Sequence, residues 1–203
     1  GQSIIKQTMD LGIKKTKKNG HCILAIKNLG HIGRLGAWSE MAAKKNCVSI
    51  LFTNTSGFGI LMAPYGGLDR RLSANPITIG IPTENNDYII LDMATSSVAE
   101  GKIKVAKNKN IKLANDLILD GYGNPTNDPN KFYSEPQGSI LPFGGHKGFA
   151  LAFMIDILAG SLTGGNSSHP KNENSHLLIN NSFGILMDIN KTVTNDYFFK
   201  DVK

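Results

Sequence analysis

The sequence predicts an α/β or α+β domain with a mixed sheet and flanking helices, extending over residues 1–203. Helical and strand patterns alternate along the chain, but without the strict strand–helix–strand rhythm that a parallel sheet demands. No internal repeat or low-complexity linker divides the 203 residues. A hydrophobic content of 40% is enough for a compact core.

The first half of the chain shows two amphipathic helices and four strands. Ile5, Met9 and Ile13 share one face of the first helix, which Asn19-Gly20 ends. Glycine and polar residues over 54–67 predict a break in regular structure. The predicted helices cover residues 4–18 and 32–45, and the predicted strands cover 22–27, 48–53, 77–81 and 88–91.

The second half contains more irregular structure. A helix is predicted over 97–108, irregular structure over 111–128 and an apolar strand over 179–188. The apolar run over 149–158, directly after Gly148, predicts the most buried helix of the chain. Glycine, serine and asparagine crowd together over 164–175, which indicates a mobile loop.

Charge and composition exclude several classes of function. The formal net charge is +6, and 19 of the 22 basic residues are lysines. These lysines alternate with other residues as solvated helix faces do, and no interleaved aromatic residues offer a surface for stacking bases, so nucleic-acid binding is not expected. A positive potential that attracts an anionic substrate or a dinucleotide phosphate is the more useful interpretation.

The two cysteines indicate the cellular compartment. Cys22 and Cys47 lie in apolar runs without the short spacing of a zinc site, so we expect buried free thiols, no metal and an intracellular, cytoplasmic protein. No stretch is long and apolar enough for a membrane span, and no signal-peptide pattern is found.

The first candidate site is a glycine loop that opens the second predicted helix. Gly30, Gly33 and Gly36 give a G-x-x-G-x-x-G spacing, whereas a Rossmann fingerprint needs G-x-G-x-x-G and an acidic residue after the next strand. His31 and Arg34 lie in this loop, at a helix N-terminus whose amides suit an anion. His31 is therefore either a catalytic or ligand-binding group or an ordinary loop histidine.

Two further segments combine polar groups with turns. Asp92 ends an apolar strand, and Thr95 and Ser96 follow it as either helix N-caps or ligands. In the third segment, residues 141–148, His146 and Lys147 stand in a glycine turn before the apolar helix. This turn either presents amides and cations to a ligand or merely seats the helix. No metalloprotease, nucleophile-elbow or phosphate-loop motif is present.

Taken together, these segments resemble the malate/L-lactate dehydrogenase family, most closely its hydroxycarboxylate dehydrogenase B type. The matching blocks follow the family order from the start of the chain to about Asp188. They are residues 30–36 with Glu40, then 63–67, 71–77, 92–96, 98–102, 123–126 with 128–129, 141–148 and 162–164.

The resemblance implies a largely antiparallel sheet with a non-Rossmann nicotinamide site, and a homodimer with the active site near the subunit contact. It implies hydride transfer between NAD or NADP and a 2-hydroxy or 2-oxo acid. A neutral imidazole suits proton transfer or polarisation of the substrate oxygen, and a cation suits the substrate carboxylate. The implied catalytic residues are His31, Arg34 and Lys147. The implied cofactor-binding residues are His31, Ile32, Gly33, Asp92, Met93, Ala94, Thr95, Ser96, His146 and Asn180.

The sequence also departs from the family pattern. Relatives begin with a segment that carries a catalytic histidine in a His-Gly motif and end with a segment that completes the cofactor site, and neither is found here. Leu29 stands where many relatives have serine, and Ser73-Ala74 stands where they have Gly-Thr or Ser-Thr. The alternative is therefore a truncated relative that binds a dinucleotide without turnover, while a basic interaction module is a remote third hypothesis.

Overall fold

A computed structural model of the chain describes residues 1–114, 117–169 and 177–202. The α-helices of these ranges are α1 (Gln2–Asn19), α2 (Gly36–Ala43), α3 (Glu100–Asn108), α4 (Pro129–Tyr133), α5 (His146–Ile155) and α6 (Asn195–Asp201). The strands are β1 (His21–Leu29), β2 (Cys47–Gly57), β3 (Ile77–Pro82), β4 (Tyr88–Met93), β5 (Ile118–Leu119), β6 (Pro125–Thr126), β7 (Ser139–Ile140) and β8 (Leu178–Asp188).

The strands form two sheets. The larger has the order β1-β8-β2-β3-β4 and the smaller has the order β6-β5-β7. All neighbouring strands in both sheets are antiparallel. The predicted class, helices with a largely antiparallel sheet, is therefore confirmed. Because β8 inserts between β1 and β2, the last strand of the fold is an interior strand of the larger sheet.

Helix α1 covers one face of the larger sheet. Its apolar side chains recur at helical spacing, so Ile5, Met9 and Ile13 are buried together against Leu24 of β1 and Leu186 of β8. The helix ends as the sequence predicts, with Gly20 in the left-handed conformation at φ 91°.

A second core lies under the smaller sheet. Met62, Ile118, Phe132 and Ile140 are buried there, and Ile103 of α3 packs against them. Helix α5 joins this core through Ala152 and continues into a π-helical segment, Asp156–Ser161. The space between the two cores is where the candidate site is found.

Strand β2 is longer than the sequence predicts. The expected break at Asn54 is wrong, because the strand continues to Gly57. Residues 54–57 pair with residues 178–181 of β8, the pairs running from Asn54↔Asn181 to Gly57↔Leu178. A partner that is distant in sequence therefore holds a polar, glycine-containing stretch in the sheet.

Two predicted helices begin later than expected. The helix predicted over 32–45 begins at Gly36, since the amide of Ile32 donates to the side chain of Asn180 instead of continuing a helix. The helix predicted over 97–108 begins at Glu100. There the amide of Ser97 donates to the carbonyl of Leu141 at 2.8 Å, which holds the chain in a non-helical path.

The prediction that the apolar run after Gly148 forms the most buried helix is wrong. Phe153 and Met154 of α5 are 51% and 52% exposed, whereas no residue of α2 is exposed. Helix α5 is apolar on nearly all sides, but the described residues cover only the side that carries Ala152 and Ile155. Within the described part of the chain, an apolar face of this helix therefore remains exposed.

The remaining expectations are met in part. Both cysteines are free, but only Cys47 is buried, while Cys22 on the edge strand β1 is half-buried. The predicted mobile loop over 164–175 lies partly outside the described residues. Within the three described ranges, no helix combines the length and hydropathy needed to cross a membrane.

Candidate active site

A cavity of about 710 Å³ lies between the larger sheet and the second core. Its volume falls within the range of small-molecule and cofactor sites. The walls are mostly apolar, and they come from the loop after β1, the ends of β2 and β4, the start of β8, and α3 and α4. Its lining includes Leu61, Pro76, Met93, Ala94, Phe132 and Leu178.

Eight of the predicted site residues line this cavity. They come from three separate segments, the loop after β1, the end of β4 and the start of β8. They are His31, Ile32, Gly33, Arg34, Asp92, Met93, Ala94 and Asn180. Four others do not line it, namely Thr95, Ser96, His146 and Lys147.

His31 is an exposed side chain on the cavity wall, and one ring nitrogen already has a partner. The backbone amide of Gly33 donates to Nδ1 of His31 at 3.1 Å. An imidazole nitrogen that accepts a hydrogen bond carries no proton, so in this arrangement the neutral ring carries its proton on Nε2. Nε2 is therefore a hydrogen-bond donor that remains for a ligand.

Asn180 anchors the loop that carries His31. Its Oδ1 accepts from the amide of Ile32 at 3.3 Å, and its Nδ2 donates to Oγ1 of Thr55 at 2.9 Å and to the carbonyl of Asn54 at 3.3 Å. Trp38 adds a second restraint, because its indole nitrogen donates to the carbonyl of Ile32 at 3.2 Å. The loop is thus fixed from both sides.

The sequence did not decide whether Asn180 or Asn181 belongs to the site. Because successive side chains of strand β8 point to opposite faces of the sheet, the structure distinguishes the two. Asn181 is fully buried on the opposite face, where its Nδ2 donates to Oδ1 of Asn54 at 3.0 Å. Its Oδ1 accepts from the amide of Asn28 at 2.9 Å. Only Asn180 reaches the cavity.

The sequence predicted that the N-terminus of α2 presents free amides to an anion. In the structure, a carboxylate of the chain itself occupies this position. Oδ2 of Asp92 accepts from the amide of Gly36 at 3.0 Å and so takes the place of that anion. A Cβ atom on Gly36 would lie 2.6 Å from this carboxylate oxygen. The third glycine of the G-x-x-G-x-x-G pattern is therefore needed for contact with Asp92.

Arg34 is held by two carboxylates. Its Nη2 donates to Oε1 of Glu40 at 2.6 Å, and its Nη1 lies 3.8 Å from Oδ2 of Asp92. The hydrogen bond to Glu40 raises the pKa of Arg34 further. Since 57% of the side chain is exposed, the guanidinium still borders the cavity, but its charge is shared with two acids.

Thr95 and Ser96 hold the backbone after β4. The hydroxyl of Thr95 donates to the carbonyl of Ala74 at 2.9 Å, and that of Ser96 donates to the carbonyl of Val98 at 3.0 Å. Both side chains are buried. The N-cap interpretation is wrong, because α3 begins at Glu100 and has Ala99 as its N-cap residue.

The turn that carries His146 and Lys147 lies away from the cavity. Both side chains are exposed, and the His146 ring makes a T-shaped contact with the ring of Tyr65, with the ring centroids 5.8 Å apart. A Cβ atom on Gly148 would lie 2.2 Å from the carbonyl oxygen of Phe143, so close packing of the turn explains this glycine. In the single chain the geometry favours the interpretation that the turn seats the helix.

Sequence reasoning missed a polar wall of the cavity. Arg70, Glu100, Tyr133 and Gln137 line it, and the hydroxyl of Tyr133 donates to Oε1 of Glu100 at 2.6 Å. Burial, followed by this hydrogen bond, raises the pKa of Tyr133 well above its usual value. No local motif links these residues, because α3 and α4 approach Arg70 only through tertiary packing. The residues that the structure describes contain no cluster able to hold a metal ion.

Comparison with known proteins gives one consistent family. The family model described as malate/L-lactate dehydrogenase matches residues 1–203. The L-lactate dehydrogenase of Cupriavidus necator is 36% identical over 93% of this chain and 54% of its own length. The hydroxycarboxylate dehydrogenase B of Escherichia coli is 40% identical over 83% of this chain and 46% of its own length. The chain thus spans about half the length of the curated relatives that it matches.

Solved structures share the fold. The sulfolactate dehydrogenase of Methanocaldococcus jannaschii superposes with a TM-score of 0.81 at 34% identity, over 100% of this chain and 57% of that one. The Δ1-piperideine-2-carboxylate reductase of Pseudomonas syringae superposes with a TM-score of 0.85 at 29% identity, over 98% of this chain and 60% of that one.

Proposed function

Because the chain belongs to the malate/L-lactate dehydrogenase family, we propose that it forms the catalytic and cofactor-binding domain of a dehydrogenase. The reaction is hydride transfer between NAD or NADP and a 2-hydroxy or 2-oxo carboxylic acid. One observation carries the proposal: His31, Asp92 and Asn180, from three distant segments, line a single cavity of about 710 Å³.

The cavity suits a nicotinamide cofactor. Its walls are mainly apolar, as a flat aromatic ring requires, and they carry few polar groups. When bound, the cofactor supplies the hydride acceptor or donor. Residues of three segments would hold it, namely Ile32 with Gly33, Asp92 with Met93 and Ala94, and Asn180.

His31 is the group proposed to act on the substrate oxygen. With Nδ1 accepting from the Gly33 amide, a neutral ring directs its Nε2 proton towards a ligand. This geometry supports polarisation of a 2-oxo group by hydrogen bonding. Acid–base exchange at Nδ1 would require the Gly33 hydrogen bond to break first.

The support for the remaining candidate residues differs from one to the next. Arg34 borders the cavity and can contribute positive charge, although Glu40 and Asp92 share it. Roles for Thr95, Ser96, His146 and Lys147 rest on the family resemblance alone, since none of them lines the cavity of the single chain.

A homodimer is part of the proposal. The exposed face of α5 carries Phe153 and Met154, and Ile157 follows them with 39% exposure. A second copy of the chain would cover this apolar face, which fits the homodimer that the family resemblance implies. The free thiols of Cys22 and Cys47 support a reducing, cytoplasmic location.

The alternative function is dinucleotide binding without turnover. It is favoured by the positions of Thr95, Ser96, His146 and Lys147, none of which lines the cavity. Titration of the purified chain with NADH and NADPH, followed by nicotinamide fluorescence, tests binding. Addition of pyruvate, oxaloacetate or 2-oxoglutarate then tests turnover. Oxidation of the bound cofactor supports the dehydrogenase, binding alone supports the alternative, and absence of binding overturns both.

A further inference from the structure

Arg70 is a half-buried guanidinium on the polar wall of the cavity. Three neighbours hold it: its Nε donates to the carbonyl of Gly138 at 2.7 Å, its Nη1 to Oε1 of Gln137 at 2.8 Å and its Nη2 to the carbonyl of Phe132 at 3.1 Å. The guanidinium carbon also lies 4.6 Å from the centroid of the Phe132 ring. The side chain is therefore fixed before any ligand binds.

The charge of Arg70 lacks a counter-ion in direct contact. All three acceptors are neutral, and Arg70 forms no ion pair with a carboxylate in residues 1–114, 117–169 and 177–202. Glu100 lines the same wall but accepts from Tyr133. Burial lowers the pKa of Arg70, although an arginine remains charged at neutral pH. Arg34, in contrast, is paired with Glu40 and Asp92.

A charge held in this way is costly unless it serves a ligand. Glu135 and Glu100 lie close enough to oppose the effect of burial on the pKa of Arg70, but neither contacts the guanidinium directly. A partly desolvated cation without a direct ion pair is costly, and a neutral side chain could make similar hydrogen bonds to the carbonyls. One N–H on Nη1 and one on Nη2 have no acceptor in the described part of the chain. Paired N–H groups of a guanidinium suit the two oxygens of a carboxylate or a phosphate.

We propose that Arg70 binds an oxyanion of the ligand in this cavity. The inference rests on the proposed function, which supplies two sources of that oxyanion, the carboxylate of the 2-oxo acid and the phosphates of the dinucleotide. It assigns to Arg70 the anion-binding role that the sequence analysis proposed for Arg34 and Lys147. The planar fork of Arg70 favours ligands with two oxygens in one plane over neutral analogues.

The test uses the full chain and four proteins: wild type, Arg70→Gln, Arg70→Lys and the control Lys102→Gln. Lys102 is exposed on α3 outside the cavity, so its replacement removes one positive charge without touching the wall. NADH titration reports binding of the dinucleotide phosphates. Titration of the NADH complex with oxamate, an unreactive analogue of pyruvate, reports binding of the carboxylate.

We expect Arg70→Gln to weaken one of these two titrations by about 10-fold or more, since a hydrogen bond to a charged group is worth about 1.5–3 kcal/mol. Weaker NADH binding would identify a dinucleotide phosphate as the oxyanion, and weaker oxamate binding would identify the substrate carboxylate. Arg70→Lys should retain part of the affinity because it keeps the charge, and Lys102→Gln should match the wild type. Affinity of the wild type should also fall as sodium chloride is added, and Arg70→Gln should reduce that dependence.

A purely structural role for Arg70 gives a different result. Arg70→Gln and Arg70→Lys would then weaken binding equally, in step with a lower melting temperature, and the salt dependence would not change. Equal affinity of Arg70→Gln and Lys102→Gln also overturns the inference but leaves the proposed function intact. If the wild type binds no dinucleotide, the proposed function fails and this inference fails with it. If Arg70→Gln does not fold, the wild type and Arg70→Lys still test the inference, which is contradicted if neither NADH binding nor oxamate binding depends on salt.

Discussion

Asp92 at the end of β4 accepts a hydrogen bond from the backbone amide of Gly36 at the start of α2, with 3.0 Å between Oδ2 and the amide nitrogen. The contact joins two segments that the sequence suggested separately as site elements. It also positions the carboxylate 3.8 Å from Arg34, so one acidic side chain organises the loop that carries His31.

Replacement of Gly36 by alanine should disrupt this contact. The added Cβ would lie 2.6 Å from Oδ2 of Asp92 and 2.9 Å from Nη1 of Arg34. We expect a loss of about 1–3 kcal/mol in the free energy of unfolding, as for other overpacked positions, and weaker NADH binding. Urea denaturation measures the first and fluorescence titration the second.

Gly101→Ala is the matched control. A Cβ at Gly101 in α3 would meet no atom within 4 Å, and the position is helical. Alanine should therefore be neutral or should stabilise by about 0.5–1 kcal/mol. Equal destabilisation by the two alanine substitutions would contradict the specific role of the Gly36–Asp92 contact.

Asp156 should be sensitive to loss of its charge. It is buried, and its carboxylate accepts from Nδ2 of Asn54 at 2.9 Å and from the amide and hydroxyl of Ser168 at 2.9 and 2.8 Å. In Asp156→Asn an NH₂ group would face one of these donors, which should cost about 1–3 kcal/mol in the free energy of unfolding.

Asp10→Asn provides the comparison for Asp156→Asn. Asp10 pairs with Lys6 at 2.9 Å on the exposed surface of α1, where such pairs contribute about 0–1 kcal/mol. Thermal or urea denaturation of both variants tests the difference. A destabilisation by Asp156→Asn no larger than that of Asp10→Asn would show that the buried network contributes little.

Stability should fall in alkaline solution because of Cys47. Burial raises the pKa of this thiol from 9.0 to about 11, so the folded protein holds the proton that the unfolded chain releases at lower pH. The stabilising contribution is complete below pH 9.0 and is lost as the pH rises towards about 11. Urea midpoints measured across this interval should decline more steeply in the wild type than in Cys47→Ala.

The open face of α5 predicts association of two chains. Phe153 is 51% exposed there, and its ring centroid lies 6.3 Å from that of Phe149. Phe153→Asp should shift the dimer to monomer in size-exclusion chromatography with light scattering, because a charge would be buried in the contact. Leu11→Asp, on the exposed side of α1 at 55%, should leave the mass unchanged. A wild type that runs as a monomer would refute the dimer.

The local signals in the sequence were sufficient for much of the fold. Apolar spacing predicted α1, and Asn19-Gly20 predicted its end, because both depend on neighbours within a few residues. The glycine loop around His31 and the block at Asp92 were also identified as candidate sites. The resemblance to the family placed Asn180 beside them, although β8 is far away along the chain.

Only the tertiary structure determined how the segments meet. Pairing of β2 with β8 extended β2 to Gly57 and turned Asn180, and not Asn181, towards the cavity. Asp92 accepts from the amide of Gly36, which lies 56 positions earlier in the sequence. Arg70 donates to the carbonyl of Phe132 in α4, which lies 62 positions later. Periodicity and turn chemistry report the local backbone, whereas the partner of each charged side chain depends on how the chain packs in three dimensions. The sequence therefore determined the main helices, the strands of the larger sheet and most of the candidate residues. Packing decided which cation lines the cavity without a direct ion pair to a carboxylate.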